Sequence, residues 1–164
     1  MKRICLKYLL PGLLLSTPAL ADDLIEVRRL SMEMAVDIAQ GAVEACRENG
    51  YQVTAVVVDR DGFDQMVMRD TLASRFTLQI AREKANAVIL SGIDSSTFGK
   101  NRQDIREEMN HVDGILVLEG GVPIRAAGSL VGAVGVSGAP GGDKDAFCAK
   151  AGVAEVQERL DFAD

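Results

Sequence analysis

Residues 51–69 constrain the fold more than any other stretch of the chain. Tyr51 to Asp59 is β-branched and apolar without clean alternation, the pattern of a strand covered on both faces. Arg60-Asp61-Gly62 is a hairpin signal, and Phe63 to Arg69 reads as the return strand. A hairpin containing a doubly covered strand calls for an antiparallel sheet with helices on its faces. Ser31, followed by Met34, Ala35, Ile38, Ala39, Ala42, Ala45 and Cys46 at helical spacing, predicts one helix, closed by Gly50. Ser74 is placed to cap a second, from Arg75 to Leu90, with Gly92 beyond its end. A third, polar helix is expected over Phe98 to Asn110. Three short strands follow, Ile115 to Glu119, Val122 to Ala126 and Leu130 to Ser137, separated by the turn signals Gly120-Gly121 and Ala127-Gly128. The loop from Gly138 to Gly142 leads to Asp143 as N-cap of a last helix ending near Leu160. The expected fold is α+β, a largely antiparallel five-stranded sheet with helices on its faces, and not a doubly wound nucleotide fold.

The front of the chain belongs outside this domain. Lys2, Arg3 and Lys7 form a basic region, Leu9 to Leu15 a short apolar core, and Ala19-Leu20-Ala21 a small-x-small cleavage site. Residues 1–21 therefore read as a signal peptide and residues 22–164 as a single domain, exported to the periplasm or secreted. Cleavage removes three cations and no anions, so the net charge passes from −6 to −9. An acidic domain without a basic run makes a poor nucleic-acid binder, because phosphate contacts require clustered Lys and Arg. It is equally ill suited to an anionic membrane surface. Cys46 and Cys148 remain after cleavage. In an oxidising compartment they could pair, or they could stand as two buried thiols acting as small apolar residues. Neither lies in a C-x-x-C or C-x-x-C-H pattern, which argues against a redox motif, a zinc knuckle and covalent c-type haem.

Side chains with catalytic potential are few. Gly135-Val136-Ser137-Gly138-Ala139 fails the G-x-S-x-G pattern at its last position, and Gly138 to Lys144 lacks the spacing of a P-loop. His111 is the only histidine, and Glu108 lies one helical turn before it. That E-x-x-H spacing puts both on one face, where they could share a metal or simply form a solvated helix end. Met66 and Met68 alternate on the second strand, with Arg69 and Arg75 bracketing the next turn. They fit either core methionine with surface arginine, or a flat apolar cofactor resting on Met and Phe76 with its carboxylates on the guanidinium groups.

Two sets of blocks together resemble a known family. One set comprises Ala55-Val56-Val57-Val58-Asp59, Gly62, Arg69-Asp70, Ser74 and Ala81-Arg82-Glu83-Lys84-Ala85. The other comprises Glu119-Gly120-Gly121-Val122-Pro123-Ile124 and Val131 to Ala139, closed by Asp143, Asp145, Ala151 and Gly152. From Leu30 to Val156 the chain resembles the GlcG/HbpS family, which is related to the C-terminal domain of PduO-type proteins. The resemblance implies a profilin-like sandwich, a homo-oligomer and non-covalent b-type haem. It also implies a haem contact just before the G-G-x-P strand, here Glu107 to Gly114, with His111 as axial ligand to the iron. Two further readings accompany it. One is a protein or enzyme for a small organic acid, with the Gly138 to Gly142 loop and Arg125 holding a carboxylate and Lys84 or Asp59 as acid/base. The other is an oligomeric accessory protein without a ligand.

Overall fold

β1 (Thr54–Asp59) and β2 (Asp64–Arg69) form the expected antiparallel hairpin. The computed structural model describes residues 25–162; the expected signal peptide, residues 1–21, lies outside them. β3 (Gly121–Ala126) and β4 (Ser129–Ser137) form a second hairpin, and β4 pairs with β1, giving the order β2-β1-β4-β3 with every pair antiparallel. The turn between β3 and β4 is Ala127-Gly128. Both residues have positive φ, +46° and +83°, as a tight hairpin turn of the favoured twist requires.

Alternation along the strands divides the core. Ala55, Val57, Val134 and Val136 face α1 (Met32–Glu48) and α5 (Gly142–Ala154). Val56, Val58 and Ala133 face α2 (Phe76–Ser91). β1 is thus buried on both sides, as its sequence predicts. Ser31 caps α1, its hydroxyl accepting from the amide of Met34 at 3.3 Å. α2 ends at Gly92, whose φ of +71° provides the left-handed C-terminal position. Cys46 and Cys148 are joined, tying the end of α1 to the middle of α5.

Three expectations are corrected. The sheet has four strands, not five, because residues 115–119 are irregular. Their amides are engaged elsewhere: Leu116 donates to the carbonyl of Glu83 in α2 at 3.2 Å, and Val117 to the side chain of Asn110 at 2.7 Å. β pairing resumes only at Gly120, whose carbonyl accepts from Val136. The polar helix over Phe98 to Asn110 is instead two short helices, α3 (Ser95–Asn101) and α4 (Arg106–Met109). Asn101 and Asp104 are weak helix formers at the break, and Gly99 lets the α3 backbone lie close to Val117, whose side chain a Cβ there would meet at 3.3 Å. The last helix also divides, with α6 (Gln157–Asp161) following α5.

Candidate functional site

Close packing of α2 on the sheet leads to the most unusual polar feature of the molecule. Gly121 and Gly135 are cross-strand partners beneath this helix. A Cβ on Gly135 would lie 1.9 Å from the carbonyl oxygen of Ala81, and one on Gly121 would lie 2.3 Å from that of Lys84. With α2 held so low, Lys84 is buried and its chain runs to the end of the sheet. There Nζ donates to Asp145 Oδ2 at 2.7 Å and to the carbonyl of Val136 at 3.0 Å. Asp145 Oδ1 accepts from the amide of Ala139 at 3.0 Å. A Cβ on Gly120 would sit 2.7 Å from the ammonium, so the Gly120-Gly121 pair also makes room for this contact. Burial pushes the Lys84 ammonium down and the Asp145 carboxyl up, against their mutual attraction. Lys84 is 1% exposed and Asp145 4%. A pair closed off this completely ties α2 to α5 and is out of reach of a substrate, which removes Lys84 as an acid/base.

Outside this tie, α3 and α4 stand on the flank of the molecule with a cavity on each side. Ser95 fixes their base. Its buried hydroxyl donates to the carbonyl of Leu118 at 2.7 Å and accepts from the amide of Gly121 at 2.9 Å. Asn86 of α2 donates to the carbonyl of Gly114 at 3.1 Å, which anchors the loop beyond α4. On one side a groove of about 470 Å³ lies between the end of α2 and the two short helices, lined by Leu90, Ile93, Phe98, Ile105 and Met109, with Arg102 among the polar residues. On the other side a cleft of about 240 Å³ is lined by Ser96, Lys100, Gln103, Arg106 and Glu119. The helix pair is therefore amphipathic across its width, with Ile105 turned to the groove and Arg106 to the cleft.

The residues singled out in the sequence do not form one site. Glu108 lies in α4 and His111 in the turn after it, both exposed, and the His111 amide donates to the Glu108 carbonyl at 3.0 Å. No group of three or more His, Cys, Asp or Glu that could hold a metal occurs among the described residues. Met66 and Met68 pair with Val57 and Ala55 and pack into the α1-side core, whereas Phe76 opens the helix on the other side. A flat cofactor cannot rest on both. Arg69 donates to the carbonyl of Ala73 and closes the turn before α2, while Arg75 stacks on Phe76 at 4.5 Å. Neither is brought to His111 by these contacts. Arg125 is held by the carbonyls of Gly92 and Gly128, near the β3–β4 turn. It and Asp59, which pairs with Gly132, lie toward one end of the sheet; the Gly138 to Gly142 loop leaves the other. That separation dissolves the carboxylate site drawn from Arg125 and the loop. Nothing local in sequence marks Asp145 or Ser95, whose partners are distant, nor the groove, whose lining is scattered from Leu90 to Met109.

Residues 30–154 match the family described as haem degrading protein HbpS-like. The chain belongs to this family. Protein GlcG of Escherichia coli is 31% identical over 108 residues, covering 66% of this chain and 81% of that protein. The crystal structure of HbpS superposes with a TM-score of 0.76 at 33% identity, covering 84% of this chain and 97% of that one. A double mutant of HbpS from Streptomyces reticuli gives the same TM-score and identity, covering 85% and 96%. A haem complex of PduOC, at 21% identity and a TM-score of 0.71, shares the fold over 78% of this chain and 95% of its own.

Proposed function

We propose that this member of the HbpS-like family is an exported haem-binding protein that stores or buffers haem, held without a covalent link between the end of α2 and the α3–α4 pair. The groove there carries the reading. Its volume of about 470 Å³ falls in the range of small-molecule and cofactor sites, and its walls are largely aliphatic and aromatic. Met109 brings a thioether to the wall, and His111 follows two residues later in an exposed turn. Thioether and imidazole are both axial ligands to haem iron in proteins. Arg102, paired at the surface with Asp104 at 3.1 Å, would turn its guanidinium to a propionate. When bound, haem would supply a redox-active iron. The chain's own part is to cover the apolar face of the porphyrin with Ile93, Phe98 and Ile105 and to offer His111 or Met109 to the metal.

Export is supported by the signal-peptide pattern of residues 1–21 and by the Cys46–Cys148 bond, which persists in oxidising compartments. Assembly into a homo-oligomer is part of the same proposal. The deciding experiment is purification from the periplasm, with a mass, an absorption spectrum and a haemin titration. A chain beginning at Asp22, a larger assembly and a saturable Soret band are expected. The band should shift in His111→Ala and be lost in Ile105→Asp. A band indifferent to both substitutions would place haem elsewhere or nowhere on this chain.

A further inference from the structure

The cleft on the opposite side of α3 and α4 has a chemistry of its own. Its volume of about 240 Å³ lies below the range for drug-sized ligands, so it suits a molecule of a few heavy atoms and excludes a porphyrin. Lys100 and Arg106 both line it, and neither has an ion-pair partner among the described residues. Ser96 and Gln103 add hydrogen-bonding groups that can donate. Glu119 is half-buried on the same surface, and its charge is close enough to Lys84 to favour the protonated ammonium. Two cations and one anion leave a single unbalanced positive charge facing the space.

The wall opposite these cations is fixed before any ligand arrives. Ser95 holds Leu118 and Gly121, Asn110 holds Val117, and Gly99 brings the α3 backbone against the Val117 side chain. Gly142 also lines the cleft and lies close against Glu119, whose Cβ and carbonyl oxygen a Cβ there would meet at 2.8 Å. Rigid walls reduce the ordering penalty of binding, and a planar guanidinium matches a carboxylate through paired hydrogen bonds.

We infer that this cleft binds a small hydroxy-monocarboxylate, its carboxylate held by Arg106 and Lys100 and its hydroxyl donated to Glu119. The site is separate from the haem groove and is tested without haem. Lactate, acetate and inorganic phosphate are titrated into the haem-free, ¹⁵N-labelled protein, following the Ser96 amide and the Arg106 Nε–H. Saturable shifts with lactate, weaker ones with acetate and at least tenfold weaker binding in Arg106→Gln and Lys100→Gln are expected. Glu119→Gln should bring lactate down toward acetate. Lys100 and Arg106 are exposed, so their variants should keep the wild-type circular dichroism and melting temperature. Absence of saturable shifts, lactate binding unaffected by Arg106→Gln, or phosphate binding tighter than lactate would each overturn the assignment. Leu90→Asp, which charges the haem groove from α2 and not from the shared helix pair, should weaken haem binding and leave lactate binding intact, so the two proposals fail separately.

Discussion

On one side of the sheet Val57, Val134 and Val136 meet Ile38, Ala39 and Val153, and a disulfide joins the two helices that carry them. On the other, Val56, Val58 and Ala133 meet Ala81, Ala85 and Val88 of α2, with Leu78 and Ile89 packed at the margin, and the strand backbone touches the helix at Gly135. The first side has a broad apolar layer and a covalent tie. The second has a thin layer, and its tie is the buried ion pair of Lys84 with Asp145. The groove and the cleft argued above both lie beyond the second side, on elements resting on α2 and the 115–121 segment. The side with the larger apolar store carries the fold, and the side assembled from polar contacts carries the candidate chemistry.

The largest expected effect tests the first side. The disulfide closes a separation of 102 residues, for which chain entropy gives about 4–5 kcal/mol. Cys46→Ala/Cys148→Ala should lose about that much in urea denaturation. A loss under about 1 kcal/mol would show that the apolar layer holds α1 to α5 unaided.

Lys84→Met comes next, because it leaves the Asp145 carboxylate buried without its cation, at a cost of about 3–4 kcal/mol. Lys84→Met/Asp145→Asn removes both charges and should recover at least half of that loss. The pH dependence separates these cases. Because Asp145 titrates above its unfolded value, wild type loses stability relative to the double variant as pH rises from 3.8 through the folded pKa. Because Lys84 titrates below its own, wild type regains stability as pH rises from the folded pKa toward 10.5. The difference in stability should therefore form a trough through neutral pH. A flat difference would mean that the pair is not desolvated as its burial requires. Gly135→Ala should cost about 2–3 kcal/mol, since neither strand nor helix can retreat from a Cβ 1.9 Å from the Ala81 carbonyl oxygen. An unchanged urea midpoint would show that α2 can lift off the sheet.

These two regions also differ in how far they can be read from sequence. α1 was legible because period, cap and terminator agree: Ser31 opens it, the Ala/Ile stripe faces the sheet, and Gly50 follows its end. The hairpin of β1 and β2 was legible for the same reason, as was the end of α2 at Gly92. Ile115 to Glu119 misleads because an apolar run has the same composition whether it pairs with a strand or lies over a helix. The outcome turned on Glu83 and Asn110 capturing its amides, a choice made by tertiary position. The same limit applies to the site. Lys84 reads from sequence as an acid/base, but its partner lies 61 residues away, and nothing near Lys84 announces Asp145. Spacing alone lets Met66 and Phe76 share a cofactor, but the strand alternation and the helix place them on opposite sides of the sheet.

The smallest effect is the most local. α4 has only four residues, too few to stand as an isolated helix, so it depends on the contacts around it. Asn110 at its end accepts from the Val117 amide at 2.7 Å, joining the wall of the polar cleft to the helix that carries Met109. Asn110→Ala removes one hydrogen bond worth about 1 kcal/mol, which should speed hydrogen exchange at Val117 by about fivefold. The amides of β1, a central strand paired on both edges, should exchange almost as before. Because the groove and the cleft share this helix pair, the same substitution should weaken ligand binding on both sides. If Val117 keeps its protection in Asn110→Ala, the flank draws its order from α2 and Ser95 alone, and coupling between the two cavities through α4 is lost.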